Sequence, residues 1–247
     1  MPKHLTFFVS DVHLGLPVAE PKAREARFLD FLRSIDPSRT ASLYLLGDIW
    51  DFWYEYKDVV PRGYARVLGA LTHLIDAGVK VYFFQGNHDI WTYSYFAELG
   101  MICLQQPYVT QIGGKRFCLG HGDGLGPGDY GYKILRWVFH NRFFQRAFSA
   151  LHPRIAFSLG NGWSRRSRLG KQISYAFKGA DEPLYKYCRK FPEPVDFFVF
   201  GHYHCRVDMP VGDARLLLLG DWMTKPNWLV FNSETGVLSA DSSLRSE

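Results

Sequence analysis

Five stretches of this 247-residue chain share one shape: an apolar run of strand length, a short turn, and then a side chain able to bind a metal. They are "LTFFVSDVH", "SLYLLGD", "VYFFQGNH", "RFCLGHGD" and "DFFVFGHYH", and they deliver Asp11 and His13, Asp48, Asn87 and His88, His121, and His202 and His204. A strand with one wet face would alternate apolar and polar residues; these runs do not, so they are expected to be buried on both faces. In open α/β sheets, ligand sites form just beyond the carboxyl ends of the strands. The pattern therefore predicts both a layered fold and the edge that carries its chemistry. Residues two apart on extended chain point the same way, so His202 and His204 are expected to offer both imidazoles to one point.

Two further runs, "RLLLLG" from Arg215 and "WLVF" from Trp228, extend the strand count. Between the first three strands lie helical faces, Phe28, Leu29, Phe31, Leu32 and Ile35 on one, Val67, Leu68, Leu71, Leu74 and Ile75 on the next. Strand, helix, strand, helix, strand implies α/β layering, and the closely spaced later strands imply a second sheet packed on the first. The length and the 47% hydrophobic content suit a single domain over residues 1–247. Residues 127–181 break this rhythm. They read as a helical cap inserted into the domain and cut into short pieces by Pro153, Gly160, Gly162 and Gly170.

Charge sets that block apart. Tyr130 to Lys178 holds ten Lys and Arg, eleven aromatics and no acid, so the rest of the chain carries −5 against a total of +5. A basic, aromatic-rich surface without acids calls for an anionic, amphiphilic partner. The four cysteines show no paired spacing, which fits a reducing compartment. The amino terminus has too short an apolar run for a signal-peptide core, and no window reaches the ~20 apolar residues of a spanning helix. A cytoplasmic protein able to lie on a membrane surface is the expectation.

Asp, Asn and His without cysteine suit Mn²⁺, Fe²⁺, Zn²⁺ or Co²⁺, with manganese the first choice, and are too nitrogen-rich for Ca²⁺ or Mg²⁺. Seven such groups exceed the needs of one ion with an open position, whereas two ions sharing a carboxylate use them all. The ordered set D-x-H, G-D, G-N-H-D, G-H-G-D, G-H-Y-H resembles the calcineurin-like metallophosphoesterase superfamily over roughly residues 5–232. That resemblance implies a two-sheet αββα sandwich with an inserted helical cap. It also implies one ion on Asp11, His13, Asp48 and His204 and another on Asp48, Asn87, His121 and His202, with Asp48 as the bridge. Paired cations acidify water and polarise phosphoryl oxygens, which gives attack of water on phosphorus. His88, not needed as a ligand, is placed to stabilise charge on the phosphate or to protonate the leaving oxygen. Asp89 and Asp123 are expected to orient ligand histidines from behind.

The fold leaves the phosphoester open. "HGDGLGPGDYGYKILR" and the cap that follows resemble a narrower group, the UDP-2,3-diacylglucosamine pyrophosphohydrolases of lipid A synthesis. The likeness implies an acylated sugar-nucleotide substrate, a peripheral place on the inner membrane, and substrate contacts from Asp129 and Tyr132. Arg136, one turn on, joins them. Phe139, Phe143, Phe144, Phe148 and Phe157 are expected to line an acyl slot, and Arg165, Arg166, Arg168 and Lys171 to meet phosphate or headgroups. One departure stands out: the best-described branch of that group has Arg where this chain has His88, while the wider superfamily has His. The competing reading is a phosphodiesterase or nuclease with the same metals, its basic block tracking a phosphate backbone; nucleic acid is not the expected partner.

Overall fold

The structure, a computed structural model, describes residues 3–18, 20–128, 130–169, 176–223 and 225–240; the side chains of 161 and 163–169 lie outside that description. Two strand–helix–strand crossovers between parallel neighbours open the chain. β1 (Leu5–Val9), α1 (Pro21–Ser34), β2 (Thr40–Leu45), α2 (Ala65–Asp76) and β3 (Lys80–Phe84) alternate as the periodicity requires. A short α3 (Tyr95–Glu98) leads to β4 (Ile102–Leu104), and β5 (Tyr108–Ile112) turns directly into β6 (Lys115–Leu119). Three helices follow, α4 (Tyr130–His140), α5 (Arg142–Ser149) and α6 (Pro153–Leu169). The chain then runs through α7 (Pro183–Arg189), β7 (Phe197–Phe200), β8 (Val207–Val211), β9 (Ala214–Leu218), β10 (Leu229–Asn232) and β11 (Val237–Ser239).

The strands form two sheets, β11-β10-β1-β2-β3-β4 and β5-β6-β7-β9-β8. In the first, β1 to β4 run parallel; in the second, β6, β7 and β9 do. The two-residue period explains why the runs are apolar throughout. Phe7 and Val9 face α1 and α2, while Phe8 between them enters the layer between the sheets with Phe117, Phe197 and Phe231. Phe198 and Phe200 turn the other way, onto Leu184 and Cys188 of α7. Helix, sheet, sheet, helix is the resulting order, as expected from the sequence.

The three-helix segment departs from expectation in one respect. Pro153 opens α6, but Gly160 and Gly162 do not cut it, and it runs unbroken for 17 residues. A Cβ on Gly160 would lie 2.2 Å from the Phe52 ring, so this glycine lets the helix backbone rest on an aromatic side chain. Phe139 and Phe148 pack on Trp91, Phe148 also on Tyr54, and Phe157 on Phe52 and Tyr56. Three of the five phenylalanines assigned to an acyl slot thus fasten the segment to the α/β body. Phe143 and Phe144 remain exposed. Among the described residues no helix is long and apolar enough to cross a membrane.

Candidate metal centre

The carboxyl ends of β1, β2, β3, β6 and β7 meet at one edge, and the seven side chains singled out as ligands converge there. His13 Nε2 lies 3.8 Å from Asp11 Oδ1 and 3.7 Å from Asp48 Oδ2. His204 Nε2 lies 3.5 Å from Asp11 Oδ1. On the other side of Asp48, His121 Nε2 stands 3.4 Å from Oδ2 and 3.1 Å from Asn87 Oδ1, which His202 Nδ1 also approaches at 2.9 Å. Asp48 is therefore common to two groups of donors.

His202 and His204 reach different groups, against the expectation from extended chain. β7 ends at Phe200, and both histidines have left-handed backbone, φ 71° and 53°. The turn presses onto β1: a Cβ on Gly201 would lie 2.4 Å from Asp11 Oδ2, so only glycine permits the approach. Asp11, His13 and Asp48 are left-handed as well, at φ 54°, 48° and 53°. Each such residue costs roughly 1–2 kcal/mol, a cost that tends to gather at functional sites.

The donor set fits divalent cations. Among the described residues Asp48 Oδ2 is buried without a hydrogen-bond partner, although two imidazole nitrogens face it. His121 Nδ1 is 3.0 Å from the Leu46 carbonyl, which can only accept, so Nδ1 carries hydrogen and Nε2 is the atom turned to Asp48 and Asn87. Burial works to strip a second proton from His121, yet Asp48, Asp11 and Asp123 raise it to about 10. The point where these atoms meet calls for positive charge, which a proton or a divalent ion supplies. Burial, and then His121, push His202 down to about 3, leaving a neutral imidazole suited to ligation. Burial also opposes ionisation of Asp48, but His121, His88 and His13 hold it well below the usual carboxylate range.

The carboxylates behind the histidines differ from those expected. Asp51 Oδ1 lies 3.3 Å from His13 Nδ1 and 3.6 Å from His88 Nδ1, and its carbonyl accepts from His88 Nδ1 at 2.9 Å. Asp221 Oδ2 lies 3.2 Å from His204 Nδ1. Asp89 touches no imidazole in this way: it accepts backbone N–H groups from Gly86 at 2.7 Å, Ile49 at 2.9 Å, Asp48 at 3.2 Å and Trp50 at 3.3 Å, tying the loops after β2 and β3 together. Burial, then the charge of Asp48, raise Asp89 to about 7. Asp123 accepts from Tyr132 Oη and from Gln106 Nε2, both at 2.6 Å, and lies 3.3 Å from Arg136 Nε. Tyr132 and Arg136, expected on the substrate, are thus engaged by Asp123, with the Tyr132 ring 6.2 Å from that of His202. Asp129, Lys171 and the side chains of Arg165, Arg166 and Arg168 lie outside the described residues. The sequence does carry a signal for Asp221: "LLLGDW" repeats the strand-Gly-Asp pattern of "LLGDIW". Asp51 has none beyond its place three residues after Asp48.

Residues 5–206 match the family described as calcineurin-like phosphoesterase. The chain is 35% identical over 258 residues to the UDP-2,3-diacylglucosamine hydrolase of Porphyromonas gingivalis (strain ATCC BAA-308 / W83), covering 95% of this chain and 96% of that one. It is 31% identical to the protein of the same name from Yersinia pseudotuberculosis serotype O:1b, covering 88% and 90%. Among solved structures, an archaeal phosphodiesterase aligns with 96% of this chain and 98% of its own, at 13% identity and a TM-score of 0.45.

Asp51→Asn removes the charge behind both His13 and His88 and is expected to weaken divalent-metal binding about 10–100-fold. Calorimetric titration with Mn²⁺ reads this directly, and wild-type affinity in the variant would separate Asp51 from the centre.

Proposed function

This chain belongs to the calcineurin-like phosphoesterase family, and from that premise we propose that it hydrolyses the diphosphate of UDP-2,3-diacylglucosamine to UMP and 2,3-diacylglucosamine 1-phosphate. The observation that carries the reading is the donor set gathered around Asp48 in a chain that aligns end to end with a relative named for that substrate. Asp11, His13, Asp48 and His204 would hold one ion, Asp48, Asn87, His121 and His202 a second. Manganese is our choice, because imidazole, carboxylate and amide donors without thiolate suit it. When bound, such ions polarise the phosphoryl oxygens and lower the pKa of water.

The remaining work falls to the chain. The His88 backbone N–H donates to Asp48 Oδ1 at 2.8 Å and fixes that carboxylate from the side away from Oδ2. With Nδ1–H given to the Asp51 carbonyl, His88 turns Nε2 to the cleft. As the bridging P–O bond breaks, charge collects on the leaving phosphate oxygen, and a protonated His88 Nε2 donates to it. Asp51 Oδ1 lies 3.6 Å from the same Nδ1 and helps to hold the ring in this orientation. Tyr132 and Arg136 border the site from α4, where a substrate phosphate can exchange for part of their contact with Asp123.

The three-helix segment acts in this reading as the cap that meets the membrane. Tyr130, Ile134 and Trp137 are exposed along one face of α4, Phe143 on α5, and Ile155 and Leu159 on α6. Arg142, Arg146 and Arg154 stand exposed among them, and no acid occurs from Tyr130 to Lys178. An apolar face edged with arginine suits the interface of an anionic bilayer, which would place the protein on the inner face of the membrane that holds its lipid substrate.

Two outcomes are expected. The Mn²⁺-loaded protein releases UMP from UDP-2,3-diacylglucosamine, detected by mass spectrometry, and Asp48→Ala does not; cleavage of a generic phosphodiester with no UMP release would reject the substrate, and turnover by Asp48→Ala would reject the shared carboxylate. In co-sedimentation with anionic vesicles, Trp137→Asp is expected to bind about tenfold more weakly than wild type, and equal binding would remove the cap from the membrane contact.

A further inference from the structure

Arg24 is a fully buried charged residue on α1, away from the strand ends that supply the ligands. Taking a guanidinium out of water costs several kcal/mol, roughly, unless its donors are met with good geometry. Its donors here are aimed at two separate loops. Nη2 donates to the Leu16 carbonyl at 2.6 Å, and Nη1 reaches the Val18 carbonyl at 3.0 Å and Met223 Sδ at 3.1 Å. One turn along α1, Arg27 Nη2 donates to the Met223 carbonyl at 3.3 Å.

Each loop leads to the metal centre within a few residues. Leu16 N–H donates to the carbonyl of His13 at 3.2 Å, closing a turn directly after a left-handed His13. Met223 N–H donates to Asp221 Oδ1 at 3.0 Å, and Asp221 is the carboxylate that faces His204. Between them, Trp222 N–H donates to the Asp11 carbonyl at 3.2 Å, and its buried ring packs on Phe28 and Phe31 of α1. The far side of the first loop is pinned independently, with Tyr64 Oη 3.4 Å from the Leu14 carbonyl. The left-handed Asp11 and His13 are held on one side by backbone hydrogen bonds to the β2 loop, Asp11 N–H to the Gly47 carbonyl at 3.1 Å and His13 N–H to the Asp48 carbonyl at 3.0 Å, and the Arg24 contacts hold the loop on the other side.

We infer that Arg24 is a positioning residue for one half of the metal centre: it staples the His13–Val18 loop to the Asp221–Met223 loop and thereby fixes the stacked rings of His13 and His204, 4.9 Å apart, with both Nε2 atoms toward Asp11 Oδ1. The inference rests on the two-ion reading above. A methionine would fill the same volume at lower desolvation cost, but it has no donors to join two loops. The other half of the centre, built from Asn87, His121 and His202, hangs on β3, β6 and the Gly201 turn and meets the stapled side through the His202 N–H contact with the Asp11 carboxylate at 3.0 Å.

The test compares wild type, Arg24→Met and Arg24→Lys, each loaded with Mn²⁺ and dialysed against a metal buffer. Wild type is expected to retain two ions per chain and to give the electron paramagnetic resonance spectrum of a coupled manganese pair. Arg24→Met is expected to hold one ion about 10–100-fold more weakly and to show instead the six-line spectrum of isolated Mn²⁺, with an unchanged far-ultraviolet circular dichroism spectrum. Arg24→Lys keeps the buried charge with fewer directed donors, guards against a folding defect in the methionine variant, and is expected to fall between the two. Two ions at wild-type affinity in both variants would overturn this inference and leave the two-ion reading intact; a wild-type protein that holds no pair would overturn both.

Discussion

Asp48 Oδ2 is a carboxylate oxygen sealed from solvent, with no hydrogen-bond partner among the described residues and imidazole nitrogens of His121 and His13 at 3.4 and 3.7 Å. An ionised oxygen in that setting is costly unless positive charge is brought to it. The rest of the site is arranged to do so from two directions. Asp11, His13 and His204 approach from the β1 side, Asn87, His121 and His202 from the β3 and β6 side, and the His88 amide occupies the other oxygen of the same carboxylate. Removing Asp48 would leave two half-sites with nothing in common.

Bringing these groups so close has a backbone cost. Five of the seven donors sit in left-handed conformation, a region that asparagine, aspartate and histidine tolerate better than bulkier residues but still adopt reluctantly. The fold absorbs the cost through buried hydrogen bonds around the edge. Asp89 gathers the amides of the β2 and β3 loops, Ser10 Oγ donates to Asp11 Oδ2 at 2.6 Å, and the α1 arginines hold the loops beyond β1 and β9. Behind them lies the aromatic layer of Phe28, Phe31, Trp222 and Trp228, whose packing gives those loops a rigid floor. Binding chemistry at the edge and packing under it are thus one mechanical unit.

The sequence made the strands that bear ligands easy to see, because runs such as Phe7 to Val9 and Phe197 to Phe200 are apolar on both faces and end abruptly in Asp or His. It hid β4, β5, β8 and β11, which are edge strands with mixed residues, Pro210 among them, and so lack a clean period. The shared aim of His202 and His204 failed for a related reason: the alternation rule stops at Phe200, and the turn after it sets the direction of each ring. Gly160 looked like a helix breaker and is a contact point, since tertiary packing against Phe52 outweighs its local preference. The stripe of phenylalanines from Phe139 to Phe157 announced an amphipathic segment but not which of two apolar surfaces it covers. Asp221 left a trace in the repeated strand-Gly-Asp pattern, but Asp51 became visible only in three dimensions, because a partner for a histidine ring is defined by contact and not by spacing.

Everything at this edge turns on two divalent ions sharing Asp48, as proposed above. Anomalous diffraction from a crystal grown with Mn²⁺ measures this without reference to any substrate. Two peaks are expected about 3.5–4 Å apart, flanking Asp48 Oδ2, one against His13 and His204 and the other against Asn87, His121 and His202. A single peak, or a pair that leaves Asp48 on one ion only, would contradict it.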